Sequence, residues 1–114
     1  MPMSQNDIGN QSNFLTPRKY EQIDLSDDAV HNLSPPVLSA DVSFILVIEA
    51  EDSGIRYRDD GTSPTLTVGQ PIAKNASMTL AIVDVTAIEL ITNTSGSGKA
   101  NVNYYTYQTL QEVS

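Results

Sequence analysis

The residues best equipped for chemistry stand in small groups, and each needs neighbours that the chain must supply. His31 is the only histidine and sits beside Asn32, just ahead of Ser34-Pro35-Pro36. Nucleophilic catalysis or zinc binding would require His31 to work with a nucleophile or with further ligands, and the chain has no cysteine. A plain surface or connector histidine is the expected role. Asp59-Asp60-Gly61-Thr62 gathers two carboxylates and a hydroxyl, which superficially suits calcium. It lacks the alternating ligands and closing glutamate of an EF-hand loop. Asp and Gly do here what a turn requires: a side chain that bonds the backbone and a residue tolerant of positive φ. Glu49, Glu51 and Asp52 would suit acid/base work, but carboxylates ending a strand form a solvated rim, and nothing marks a glycosidase cleft around them. Gly96-Ser97-Gly98-Lys99 has the ending of a phosphate loop. Asn93 stands where the first glycine belongs, Ala100 replaces Ser/Thr, and a strand follows instead of a helix. It reads as a flexible hairpin loop. No residue is assigned to catalysis, to a metal or to a cofactor, and an enzyme is not expected.

The elements that carry these groups are strands. Val42 to Ala50 reads as the strongest, with Phe44, Leu46 and Ile48 on one face and Ile45 and Val47 on the other. A strand apolar on both faces is covered on both sides, one by the core and the other by an arm, a loop or another subunit. Tyr20, Ile23 and Leu25 are candidate inward residues of a segment from Arg18 to Leu25, and the double proline favours an extended connector. Ile55 to Arg58 alternates, with Ile55 and Tyr57 inward and Arg56 and Arg58 outward. Asp60-Gly61 then turns the chain, and Pro71 confines Val68 to Ile72 to an edge or a short pairing. Ser77 to Ile82 places Met78, Leu80 and Ile82 on one face, and Ala87 to Asn93 does likewise with Ile88 and Leu90 while Ile91 faces the other way. In Ala100 to Tyr107, Val102 and Tyr104 point inward, and Tyr105 and Tyr107 share the opposite side with Asn101 and Asn103. Exposed tyrosine beside amides suits a protein interface or a sugar platform; cover by the same chain is the competing reading. About six to eight short strands without helical periodicity predict an all-β fold, a small antiparallel β-sandwich or jelly roll.

At 114 residues the chain supports one domain with a modest core. Its start is poor in large hydrophobes: apart from the methionines, Met1 to Thr16 offers Ile8, Phe14 and Leu15. Such a segment does not bury enough apolar area to offset roughly 1–2 kcal/mol of backbone entropy per ordered residue. The expected organisation is a flexible N-terminal arm over 1–17 that becomes ordered on assembly, a sandwich domain over 18–108 and a tail over 109–114. The arm has neither the basic start nor the apolar stretch of a signal peptide, and no segment approaches the roughly 20 apolar residues of a membrane span. The expectation is a soluble protein made in the cytoplasm that does not partner a membrane. A net charge of −8 argues against nucleic acid, whose binding needs clustered Lys and Arg, and favours a basic patch on another protein.

The run Arg56-Tyr57-Arg58-Asp59-Asp60-Gly61-Thr62-Ser63-Pro64-Thr65, followed by Val68-Gly69 and later by Lys99-Ala100-Asn101-Val102-Asn103-Tyr104-Tyr105, resembles small structural proteins of tailed bacteriophages. The likeness covers about Val42 to Tyr107 and leaves out the arm and the tail. It implies a virion component: a capsid decoration (cement) protein on the head shell, expected to be a homotrimer whose partner is the major capsid protein or another virion protein. A neck, tail or fibre-attachment protein and a carbohydrate-binding module of the virion are the alternatives. The residues expected to meet the partner are Phe14, Leu15, Arg18, Ile45, Val47, Tyr105 and Tyr107. An arm of this length, fully extended, spans on the order of 50–60 Å, enough to bridge capsomers.

Overall fold

A computed structural model of the chain describes residues 14–38, 43–82 and 84–108. Eight strands are formed there: β1 (Phe14–Asp24), β2 (His31–Asn32), β3 (Phe44–Glu51), β4 (Ile55–Arg58), β5 (Gln70–Ile72), β6 (Ser77–Ile82), β7 (Glu89–Thr92) and β8 (Lys99–Gln108). A single 3-10 turn, Val85–Ala87, precedes β7. The strands make two antiparallel sheets of four, a large one in the order β1-β8-β3-β6 and a small one in the order β2-β7-β4-β5. The fold is thus the all-β sandwich that the alternating pattern predicts.

Period-two alternation explains the core. Phe44, Leu46, Ile48 and Ala50 of β3 and Ala100, Val102 and Tyr104 of β8 are buried from the large sheet, against Ile55, Tyr57, Ile72, Ile88 and Leu90 from the other side. Burying each large apolar side chain stabilises the fold by about 1.5–3 kcal/mol relative to leaving it in water. Phe44 and Tyr104 meet edge to face, ring centroids 5.9 Å apart. The Tyr104 hydroxyl donates to Glu21, whose carboxylate also accepts the Ser34 N–H at 2.9 Å. That bond ties the connector after β2 to the edge of the large sheet.

Three expectations change. Tyr20 does not share the inward face of Ile23 and Leu25: it lies three residues from Ile23, hence on the opposite side of the strand, and is 55% exposed. The Gly96-Ser97-Gly98 loop does not close a hairpin, because β7 pairs with β2 and β4 whereas β8 pairs with β1 and β3. It carries the chain from the small sheet to the large one. The bend is tight: Gly98 has φ +119, and a Cβ there would stand 2.8 Å from the oxygens of Ser53 and Thr92. Ser53 belongs to the β3–β4 crossover, which passes between the sheets alongside it, joined by Ser53 Oγ to Thr92 Oγ1 at 3.1 Å and by Asn93 N–H to the Gly54 carbonyl at 3.1 Å. Finally, β1 begins at Phe14, so Phe14 to Pro17, expected in the arm, pair with Gln108 to Tyr105. Residues 1–13 and 109–114, Val42 and the side chain of Phe14 lie outside the described residues.

The segment Asp59 to Gly69 decides which sheet face stays open. Arg56 points outward from β4 and donates from Nε to the Leu66 carbonyl (3.0 Å) and from Nη1 to the Gly69 carbonyl (3.1 Å). The loop between β4 and β5 is thereby drawn over the small sheet; Pro64 within it is buried, as is Ile91, the cross-strand partner of Arg56 on that outer face. The outer face of the large sheet has no such roof among the described residues.

Candidate functional site

On the large sheet, cross-strand pairs share a face, so the register lays out the open surface row by row. Leu15 stands opposite Tyr107; Pro17, Tyr105, Ile45 and Ala81 form the next row; Tyr20, Asn103, Val47 and Thr79 the third; Gln22, Asn101, Glu49 and Ser77 the fourth. The surface grades from an apolar end, where Leu15 is 43% and Tyr107 54% exposed, to an acidic end closed by Glu49 and Glu51. Ile45 is only 7% exposed, so its cover comes from this chain, between Tyr105 and Ala81; Val47 is half-buried.

Leu15, Ile45, Val47, Tyr105 and Tyr107 are therefore brought together on one face. Arg18 does not join them. It sits in the irregularity between Pro17 and Lys19, and its Nε donates at 2.8 Å to Thr106 Oγ1, a buried residue of the inner face. Sequence reasoning missed Tyr20 and the amide at its side. The Tyr20 hydroxyl donates to Asn101 Oδ1 at 2.6 Å, and Gln22 Nε2 donates to the same oxygen at 3.0 Å. Asn101 Nδ2 donates in turn to Glu51 Oε1 (2.9 Å) and Glu49 Oε1 (3.3 Å). This uses both donors and both lone pairs of an amide that is 8% exposed, which is why a polar group is tolerated there. Tyr20 is thus tethered through its hydroxyl while more than half of it stays exposed. The side chain of Asn103, in the row of Tyr20, makes no hydrogen bond with the described residues. The spacing that could have exposed this row was the parity of Tyr20 with Gln22, matched to that of Asn101 with Tyr105.

The other groups with chemical capacity are used locally. His31 Nε2 lies 2.9 Å from Asp27 Oδ1 at an open cleft of about 480 Å³ between the edges of β1 and β2, lined also by Glu21 and Asp24. The hydrogen bond from His31, with one from the Ala29 N–H, holds the exposed Asp27 carboxyl below its ordinary range. Asp60 accepts from Arg58 Nη2 (2.6 Å), from Thr62 Oγ1 (2.6 Å) and from the Thr62 N–H (3.1 Å), so its carboxylate closes a turn. Those bonds, led by that of Arg58, hold it well below the usual carboxylate range. Asp52 faces Lys99 at 3.5 Å. The open face thus carries aromatic rings, short aliphatic rows and a carboxylate end. The chain matches no protein-family model, no curated protein and no solved structure.

Proposed function

We propose that this protein is a non-enzymatic structural component of a virus particle, a capsid decoration (cement) protein that seats on the head shell through the outer face of its large sheet. The observation that supports the reading is the convergence of Leu15, Tyr105 and Tyr107 on the one sheet face that no loop of the described chain covers. The resemblance of the Arg56–Thr65 and Lys99–Tyr105 segments to phage structural proteins supplies the setting. The partner is the major capsid protein or a neighbouring virion protein, with a basic patch to meet Glu49 and Glu51. A neck, tail or fibre-attachment role would use the same face.

The test is particle binding by purified Leu15→Ser and Tyr107→Ser chains. Both side chains are exposed, so folding is retained; loss of either apolar contact is expected to lower affinity at least about tenfold. Undiminished occupancy with both variants would sink the reading. Copies per particle separate a shell protein, present in hundreds, from a single neck or tail ring. Binding to a glycan array that is lost in Tyr105→Ala would replace the virion partner by a carbohydrate.

A further inference from the structure

Asp60-Gly61 is the one Asp-Gly step of the sequence, and no Asn-Gly occurs. Such a step invites a reaction of the chain with itself. The glycine nitrogen attacks the side-chain carboxyl carbon of the aspartate, an N–C bond forms, and the hydroxyl leaves as water with the proton of that nitrogen. Water then opens the five-membered imide at either carbonyl, restoring aspartate or giving isoaspartate, with no net change in mass. Glycine hinders the attack least, and a neutral carboxyl is needed for water to leave. Asp60 and Gly61 are both exposed, and a Cβ added at Gly61 would meet nothing within 4 Å, so neither crowding nor lack of water opposes the reaction.

The fold instead occupies the reacting atoms. Asp60 Oδ2 accepts from Arg58 Nη2 at 2.6 Å, and Oδ1 accepts from Thr62 Oγ1 at 2.6 Å and from the Thr62 N–H at 3.1 Å. Neither oxygen is left free, and these bonds favour the ionised form, whose oxygen leaves poorly. The Gly61 N–H is engaged as well, donating at 3.2 Å to the carbonyl of Ala87 in the turn ahead of β7. Attack requires the Gly61 nitrogen to give up that bond and the carboxyl group to give up its own.

We propose that Asp60-Gly61 is a guarded isoaspartate site, a point of self-modification slowed by the hold of Arg58 and Thr62 on the carboxylate and of Ala87 on the Gly61 nitrogen. Arg58 is the chief guard, because it alone brings a positive charge to the carboxylate and it alone takes Oδ2. It does so from the last position of β4, the strand that the turn follows. Conversion routes the main chain through the Asp60 side chain, adds one carbon to it and leaves a carboxylate on the α-carbon. The altered turn does not reproduce the bonds to Arg58 and Thr62, and the loop drawn over the small sheet starts from it. The guard therefore sets how long that roof lasts.

The test is incubation of the full chain at mildly acidic pH, folded and in guanidinium chloride. Isoaspartate is counted in digests by enzymatic methylation with protein isoaspartate methyltransferase and located by fragmentation mass spectrometry. It should form at residue 60 in the unfolded chain and at least about tenfold more slowly in the folded one. Arg58→Ala should speed conversion of the folded chain by about twofold to fivefold, the rate equivalent of an exposed ion pair, and leave the unfolded rate unchanged. Thr62→Val, which removes one donor, should speed it too and serves if Arg58→Ala does not fold. Arg56→Ala releases the same loop at Leu66 and Gly69 but leaves the partners of Asp60 in place, so it should convert like the unmodified chain. A folded rate equal to the unfolded one, no gain in either Arg58→Ala or Thr62→Val, or an equal gain in Arg56→Ala would each overturn the inference. These measurements use the isolated chain, so their outcome is independent of whether it binds a particle.

Discussion

Asn101 shows how one amide organises a surface. Because it accepts from Tyr20 and Gln22 while donating to Glu49 and Glu51, only a side chain with both capacities fits. Asn101→Asp would retain the two acceptor contacts but set a third carboxylate against two others. It is expected to lower stability by about 1–3 kcal/mol in urea unfolding, less so at a pH low enough to protonate the cluster. Other carboxylates set the acid limb. Asp24, held by Ser26, Asp27 by His31, Asp28 by Ser95 and Asp60 by Arg58 all have folded pKa values below the ordinary range. A depressed folded pKa stabilises above the unfolded value, about 3.9 for Asp, and the contribution is lost as pH falls through the folded one. The urea midpoint should therefore hold steady above about pH 5 and drop below about pH 4. Tyr104 gives the opposite sign: burial, then the bond to Glu21, pushes its phenol far above the usual range. Its contribution is intact below about pH 10 and declines above it, as the unfolded chain ionises first. Tyr104→Phe should flatten that alkaline limb and cost about 1.5–3 kcal/mol near neutrality, since the bond removed is to a charged acceptor.

At the scale of elements, the loop over the small sheet depends on one glycine. Gly69 has φ +137, and a Cβ there would stand 3.1 Å from both Pro64 Cβ and the Tyr57 carbonyl oxygen. Gly69→Ala is expected to destabilise by about 1–3 kcal/mol, and hydrogen exchange should show protection lost between Asp59 and Gly69 while β3 and β8 stay protected. Alternation made β3, β4, β6 and β8 legible, because residues such as Phe44/Leu46/Ile48 and Val102/Tyr104 declare an inward face two by two. It also set Ile45, Val47, Tyr105 and Tyr107 on outward faces. Which sheet a strand joins is another matter: the turn chemistry of Gly96-Ser97-Gly98 suits a hairpin as well as a crossover, and only the crowding around Gly98 shows which was built. Two-residue β2 carries no period to read. Tyr20 stands an odd three residues from Ile23 within an unbroken stretch of register, so the count alone sets it on the face opposite Ile23 and Leu25.

For the whole molecule, β6 at one edge and β1 at the other bound the large sheet, so its open outer face depends on all four strands holding register. The N-terminal boundary matters here. Deletion through Thr16 removes the pairs of Phe14, Leu15 and Thr16 with Gln108, Tyr107 and Thr106, whereas a cut after Asn13 keeps them. The first is expected to lower the unfolding midpoint and to weaken particle binding through Leu15; a chain lacking 1–16 with an unchanged midpoint would contradict the observed register. Phe14 and Gln108 are cross-strand partners, so the described chain is entered and left at a single point, beside Leu15 and Tyr107. A purification tag or fluorescent fusion joined directly before Phe14 or directly after Gln108 is therefore delivered to the same spot and becomes a tethered competitor for that surface. Insertion at Gly61, around which no atom would meet an added side chain, keeps a label on the far sheet and leaves that surface free.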